Sequence, residues 1–300
     1  EVYRSFAEDV LAIPVIHGEK SESEKFAGAL TTKCIEGLMQ DGKALQCGTS
    51  HNLGQNFARA FDVQFQSKEG KLEHVHTTSW GVSTRLMGAL IMAHGDDKGI
   101  VCPPRLAPHQ VVFVAIWKTD EEKARVRTVV EAACMALRDV GVRVKVDDRD
   151  HLSPGAKFYE WEGKGVPVRV EVGPKDVEKG QFVVVRRDTG LKQFVPRAEF
   201  LTVATGLLET IHDALLERHK AFCAARTREA RTYDELREAV ETGWAYAPWC
   251  GSAESEKKVK DELKATIRCI PFEGGEAQPG DICVVTGEPA KHRVYFARSY

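Results

Sequence analysis

No GxxxxGK[ST] phosphate loop, GxGxxG fingerprint or GxSxG elbow occurs in this sequence. The common nucleotide-binding loops and the hydrolase nucleophile elbow are therefore excluded. No apolar run reaches the roughly 18 residues that a membrane-spanning helix needs, so no span and no membrane partner are expected. A secretory signal is absent, as are a CxxC pair, an internal repeat and any low-complexity stretch. Neither sign of charge is in excess: 42 basic and 44 acidic residues give a net charge of −2. Any nucleic-acid contact must then come from local patches. The eight cysteines are scattered, with Cys34, Cys102, Cys134 and Cys223 inside apolar runs. That pattern predicts reduced, buried thiols in a cytoplasmic compartment rather than a disulfide framework.

What is present is the make-up of a globular chain of two or three domains: 300 residues, 43% hydrophobic and 29% charged. The chain opens at Glu1, inside a helical pattern over Val2 to Leu11, and is expected to be a fragment or a processed product. Residues 1–107 read as a first block. A short strand is expected at Ile13 to Ile16. Two more, Thr31 to Leu38 and Ala44 to Cys47, flank the hairpin signal Asp41-Gly42. A turn over Gly48 to Ser50, a helix over Leu53 to Phe61, and strands Val63 to Gln66 and Leu72 to Ser79 follow. Tight turns between strands predict an antiparallel sheet. Pro103-Pro104 and Pro108 mark a linker. Residues 108–205 alternate strand and helix: Val111 to Ile116, Glu121 to Val140, Val142 to Val146, Lys157 to Glu162, Val166 to Val172 and Phe182 to Arg186. This rhythm predicts a small α/β domain with a largely parallel sheet. Residues 206–300 read as an α+β C-terminal block, entered through the helix Leu201 to Thr227 and continuing with a helix over Tyr233 to Thr242 and short strands. The fold class is thus a multidomain combination of α+β and α/β parts.

Thr77 to Arg85 carries the strongest local signal. A strand of small residues ends at Gly81, and Arg85 opens the apolar helix Leu86 to Met92. A glycine lets a planar ligand lie close to the backbone. An arginine at the first turn adds a fork of donors where phosphate is favoured. Gln46-Cys47-Gly48-Thr49-Ser50-His51 brings a hydroxyl and an imidazole to a turn before a helix; Thr49 or Ser50 acting as a helix cap is the simpler reading. Asp147-Asp148-Arg149-Asp150 and Asp96-Asp97 read as solvated turns rather than Mg²⁺ sites, because adjacent residues rarely converge on one ion. Phe158, Glu162, Arg169 and Lys175 supply an aromatic with charged donors and acceptors, the inventory that reads unpaired RNA bases. Cys250, Cys269 and Cys283 make no zinc site by spacing, and Cys269 lies in an apolar strand that reads as core.

Several segments together resemble the prolyl-tRNA synthetases of the archaeal and eukaryotic type, a form also found in some bacteria. They are Lys25-Phe26-Ala27-Gly28, Gly48-Thr49-Ser50-His51-x-Leu53-Gly54-Gln55-Asn56-Phe57, Thr78-Ser79-Trp80-Gly81-x-x-x-Arg85 and His94-Gly95-Asp96-Asp97-x-Gly99. Further on stand Pro103-Pro104-Arg105, Lys157-Phe158-x-x-Trp161-Glu162, Gly165-Val166-Pro167-x-Arg169, Gly173-Pro174-Lys175-Asp176 and the terminal Arg298-Ser299-Tyr300. The resemblance runs nearly end to end. It implies a partial class II catalytic domain on an antiparallel sheet, an α/β anticodon-binding domain and a small C-terminal domain. It implies that Arg85, with Gln46 and Thr84, holds the triphosphate of ATP with its Mg²⁺. Phe26, Thr49, His51, Ser79 and Trp80 would line or border a proline pocket. Phe158, Glu162, Arg169 and Lys175 would read the anticodon of tRNA(Pro), and the Tyr300 carboxylate would fold back toward the catalytic domain. A homodimer is implied for the full-length protein.

The sequence departs from the family pattern twice. Motif 1, of the dimer interface, and motif 2, with its own ATP-binding arginine, would precede Glu1. These 300 residues are therefore expected not to form prolyl-adenylate by themselves. A non-catalytic split subunit that binds tRNA or a partner is the alternative. Secondly, the four zinc-binding cysteines of some relatives fall here on Cys250, Ser255, Cys283 and Thr286. Two thiolates are lost, so folding without zinc is expected.

Overall fold

In the computed structural model, which describes residues 1–300, the Asp41-Gly42 turn folds β2 (Thr31–Leu38) back on β3 (Ala44–Gly54). Gly42 has φ +82°, a left-handed conformation that a side chain would disfavour. The outer edge of β3 takes up β6 (Thr77–Gly81), and the outer edge of β2 takes up β1 (Ile16–Glu19), all antiparallel. α1 (Val2–Ser5) opens the chain and continues as a wider helical turn over Phe6–Val10. Short α2 (Asn56–Ala60) and the hairpin of β4 (Gln64–Gln66) and β5 (Leu72–His74) separate β3 from β6, and α3 (Arg85–His94) follows it.

Two compact units result. One holds residues 1–8, 13–93 and 219–300; the other holds 9–12 and 94–218. In the second unit, β7 (Val111–Ala115) is buried along its whole length. It lies between the parallel strands β8 (Val144–Asp147) and β9 (Val168–Val172). The helix α4 (Asp120–Asp139) starts at a capping box, where Thr119 Oγ1 accepts from Glu122 N. Its Val126, Val130, Cys134 and Leu137 enter a core with Phe113, Phe182 and Phe200. Each such large apolar side chain contributes about 1.5–3 kcal/mol on full burial. α5 (Pro154–Gly163), capped by Ser153, lays Trp161 over the other side of β7. α6 (Pro174–Glu178) leads to β10 (Gln181–Arg186), and β11 (Lys192–Pro196) closes the five-stranded order β11-β10-β9-β7-β8.

The largely parallel sheet expected for this unit is in fact mixed. β10 runs antiparallel to β9 and pairs with β11 as a hairpin. The α6 connection is too short for the crossover of about a dozen residues that a parallel partner requires.

α7 (Phe200–Ala225) is followed by β12 (Thr227–Glu229), α8 (Tyr233–Ala239), β13 (Trp244–Trp249), α9 (Ala253–Leu263), β14 (Thr266–Pro271) and β15 (His292–Ala297). Sequence periodicity marked α7 and α8, whereas α9 stood unmarked in a highly charged stretch. These strands join those of the first block in one eight-stranded sheet, β12-β13-β15-β14-β1-β2-β3-β6. The seam is the antiparallel pair β1–β14. It exists because residue 18 is glycine: a Cβ there would lie 2.1 Å from Ile270 O. Beside the seam, buried Lys20 Nζ lies 2.7 Å from Glu36 Oε1 and donates to Arg268 O at 2.6 Å. Arg268 Nε and Nη2 donate to Glu36 Oε2 at 3.1 and 3.0 Å.

The chain end returns to the β2–β3 turn. Ala44 N donates to Arg298 O, and Lys43 Nζ lies 5.1 Å from the Tyr300 ring centre. Gly18→Ala should lower the unfolding free energy of the first unit by about 3 kcal/mol, the upper end of typical overpacking costs. Urea denaturation followed by tryptophan fluorescence measures this, and an unchanged midpoint would show that the seam does not depend on the glycine.

Candidate functional site

The expected turn over Gly48 to Ser50 does not exist. β3 continues through it to Gly54, and Gln55 rather than Thr49 or Ser50 precedes α2. The ladder explains why. Leu38 pairs with Ala44 and Glu36 with Gln46, but Ile35 pairs with Gly48, so Cys47 is an extra residue on β3. Successive side chains on a strand alternate between faces, and a one-residue bulge resets the alternation. Beyond the bulge Cys34 opposes Thr49 and Thr32 opposes His51; across the other edge Ser79 opposes His51 and Gly81 opposes Thr49. Gln46, Thr49, His51 and Ser79 thus share one face with Thr32, Cys34 and Glu36. Without the bulge, Gln46 and Thr49 would face opposite ways. Cys47 itself turns to the other face, where a Cβ on Gly37 would lie 3.3 Å from its Sγ. Burial pushes the Cys47 thiol up to about 12, so it is an inert packing group.

His51 is held from two sides. Its Nδ1 lies 2.9 Å from Thr32 Oγ1, which also accepts from Phe26 N at 3.1 Å. The Phe26 ring lies 4.8 Å from the imidazole and 6.1 Å from the Phe57 ring, centre to centre. With Phe26 N donating to Thr32, the Thr32 hydroxyl proton is best used on Nδ1. The ring proton then sits on Nε2, facing out. Burial lowers the His51 pKa below its ordinary value. The result is a neutral donor beside a half-exposed aromatic wall, a surface suited to a small apolar ring with one polar group.

Arg85 begins α3, where Ser83 Oγ accepts from its backbone N. Its Nη1 donates to Gln46 O at 3.3 Å, so the guanidinium lies over the start of β3. Thr84 directly precedes it and is exposed. Trp80 pairs with Ser50 and belongs to the opposite face from His51 and Ser79. It is 71% exposed and does not share the surface that Phe26 and His51 form. A cleft of about 310 Å³ bordered by Tyr3, Arg4, His17, Lys33 and Phe272 also takes most of its lining from that opposite face.

In the other unit, α5 and β9 bring together three of the four expected RNA-reading residues. The Arg169 guanidinium stacks 4.5 Å from the Phe158 ring centre. Arg169 and Glu162 line a small hollow with Trp161 and Val185. Glu171, invisible to motif reading, orients the cations: its Oε1 accepts from Arg169 Nη2 at 3.1 Å and its Oε2 lies 2.7 Å from Lys192 Nζ. Lys175 is exposed in α6, past the end of β9.

Of the acidic residues expected on solvated turns, Asp96, Asp97, Asp148 and Asp150 are exposed, and Asp147 is the exception. Asp147 is buried. Burial alone would raise its pKa, but hydrogen bonds from Arg149 and Trp161 outweigh that and hold it below the usual carboxylate range. Arg187 forks onto Asp96 at 2.8 and 2.6 Å and lowers it to about 2. Both groups are committed to structural pairs. The four positions that match zinc ligands of some relatives do meet in space: Cys250 Sγ lies 3.7 Å from both Ser255 Oγ and Thr286 Oγ1 and is hydrogen-bonded with Cys283. Their chemistry does not fit zinc. Ser255 Oγ accepts from Trp249 Nε1 at 2.8 Å and donates to Ser252 O at 2.7 Å, so its proton and one lone pair are already in use. Two thiols and two engaged hydroxyls do not replace the four-ligand N/S set of a structural zinc.

Sequence reasoning missed Thr32, Glu36, Lys20 and Arg268. The strand alternation in Thr31 to Leu38 was a usable signal for Thr32; nothing local announced that Arg268 would reach Glu36.

Comparison with known proteins agrees with this anatomy. Residues 1–94 match the family model of the tRNA synthetase class II core domain (G, H, P, S and T). Residues 110–207 match the anticodon binding domain, and 233–300 the C-terminal domain of prolyl-tRNA synthetase. The chain is 53% identical over 305 residues to a proline–tRNA ligase of Chloroflexus aggregans, covering all of this chain and 62% of that protein. Proline–tRNA ligases of Christiangramia forsetii and Bacteroides fragilis are 51% and 52% identical, again over the whole chain and 61% of their own length. The chain therefore spans about three fifths of these curated relatives.

Two outcomes follow from the geometry. The His51 imidazole should titrate below pH 6.5 with its neutral form protonated on Nε2, readable by ¹⁵N NMR; a midpoint above 6.5 would contradict the buried, neutral ring. Because the unfolded histidine takes the proton first, this group's share of stability is complete above pH 6.5 and is lost as the pH falls toward the folded pKa. A zinc chelator should leave the thermal midpoint unchanged, whereas one equivalent of tightly held zinc by elemental analysis would refute the fit argument.

Proposed function

We propose that this chain, which belongs to the prolyl-tRNA synthetase family, supplies the motif 3 part of a proline-activating site together with the tRNA-reading domain. The observation that carries this reading is the bulge at Cys47, which gathers Gln46, Thr49, His51 and Ser79 on one face beside Arg85. Arg85, with Gln46 and Thr84, clamps the triphosphate of ATP, whose Mg²⁺ travels with it. Phe26, Thr49, His51 and Ser79 hold proline, and Trp80 borders the pocket through the β6 backbone. The proline carboxylate attacks the α-phosphorus, pyrophosphate leaves, and the prolyl group passes from the adenylate to the terminal ribose of tRNA(Pro). Such a site accelerates by positioning the two reactants and by neutralising phosphate charge; no side chain need act as a nucleophile. Phe158 and Arg169 offer a stacking surface to a splayed base, while Glu162 and Lys175 supply edge hydrogen bonds. Residues 1–107, 108–205 and 206–300 serve as the catalytic, anticodon-binding and C-terminal parts. A cytoplasmic homodimer of the longer protein completes the reading.

Arg85→Ala should weaken ATP binding by about 1.5–3 kcal/mol, the worth of a hydrogen bond to a charged group; equilibrium dialysis measures it, and undiminished affinity would remove Arg85 from the clamp. Arg169→Ala should weaken binding of tRNA(Pro) by about 1–3 kcal/mol and erase discrimination against tRNAs with other anticodons. Filter binding that shows equal affinity of the unmodified chain for all tRNAs would overturn the anticodon assignment.

A further inference from the structure

The floor of the candidate site is not made by its own strands alone. Glu36 sits directly opposite Gln46 in the β2–β3 ladder, at the bulge, and its side chain is fully buried. Its two carboxylate oxygens are divided between two cations. Oε1 is 2.7 Å from Lys20 Nζ, which follows β1; Oε2 accepts from Arg268 Nε and Nη2, on β14. Arg268 spends its remaining nitrogen on Thr266 Oγ1 at 2.9 Å and Ser299 Oγ at 3.0 Å. Ser299 in turn bridges to Ala44, two residues before Gln46, where Ala44 N donates to Arg298 O at 2.8 Å. Arg268 therefore reaches the Gln46 segment by two routes, through Glu36 across the ladder and through the chain end at Ala44. Both routes close on the stretch Ala44 to Thr49 that contains the bulge.

We infer that Arg268 is a positioning residue for the candidate nucleotide site: by fixing Glu36 and Ser299, it holds the Cys47 bulge in register and so keeps Gln46 and Thr49 on the same face. The inference rests on the reading of Gln46 and Arg85 as ATP contacts, but its structural half does not. The C-terminal block is then part of the catalytic floor. The planar fork is what matters, because it addresses Glu36, Thr266 and Ser299 at once. A lysine offers charge without that geometry.

The test uses the whole chain with Arg268→Met, Arg268→Lys and Glu36→Gln, each compared below its own thermal midpoint. Two readouts are taken: amide hydrogen exchange of the Ala44–Thr49 peptide, and ATP affinity by equilibrium dialysis. Arg268→Met should speed exchange in that peptide at least tenfold while peptides of β7 and α4 in the other unit stay unchanged, and should weaken ATP at least tenfold. Arg268→Lys should restore less than half of either effect, and Glu36→Gln should reproduce the methionine phenotype. If Arg268→Met does not fold, Glu36→Gln and Arg268→Lys carry the test by the same two readouts. Unchanged exchange at Ala44–Thr49 in folded variants overturns the inference. Faster exchange with unchanged ATP affinity also overturns it as a statement about the site. Should ATP binding be insensitive to Arg85→Ala as well, the nucleotide reading fails with it; a response to Arg85→Ala alone leaves that reading standing.

Discussion

A carboxylate with no exposed surface cannot stay charged without partners, and Glu36 meets that constraint with Lys20 and Arg268. The three residues stand on or beside β2, β1 and β14, so satisfying one buried charge ties the last third of the chain into the sheet of the first. Removing one member of such a buried network costs about 3–5 kcal/mol, because the remaining charge is left without compensation. An apolar replacement of the whole network would be cheaper, but it would also lose the directional hydrogen bonds that reach Thr266 and Ser299. The interaction is therefore best understood as specifying register at the seam. Gly18 makes the close approach of β1 and β14 sterically possible, and the Glu36 network makes it specific.

The site inherits its geometry from this seam. Thr49, His51 and Ser79 come from alternate positions of neighbouring strands, which a regular ladder aligns automatically. Gln46 joins them only through the Cys47 bulge. A feature of one extra residue thus decides whether the ends of the candidate site cooperate. It lies beside the buried carboxylate, where slippage would be costly. The neutral His51 and the tilted Phe26 ring beside it form a surface whose polarity is set by burial rather than by a nearby charge.

Much of this was legible in the sequence. The Asp41-Gly42 turn, the apolar strand Val111 to Ala115, the helix over residues 120–139 and the Gly81-to-Arg85 transition are local, and local rules located them. The motif residues Arg85, Gln46, Thr49, His51 and Ser79 were named from their family resemblance, and four of them do share a face. What escaped was non-local. Continued without a bulge, the hairpin register would set Thr32 against Ser50 rather than His51; Gly48 beside Cys47 was the local sign of an insertion, but it read as a turn. A turn was expected at Gly48 to Ser50 because Gly, Thr and Ser favour turns, but pairing on both edges overrides that preference. The mixed sheet of the second unit depended on the length of one connection. The eight-stranded sheet depended on a contact between positions 18 and 271, which no window of sequence spans.

If the Glu36 network makes the first unit a single cooperative body, its strands must open together. Native-state hydrogen exchange across a denaturant series measures this directly for the amides of β2, β3, β14 and β15. One common opening free energy and one denaturant slope are expected for all four strands. An opening of β14 and β15 at lower free energy, with β2 and β3 still protected, would contradict a single cooperative body.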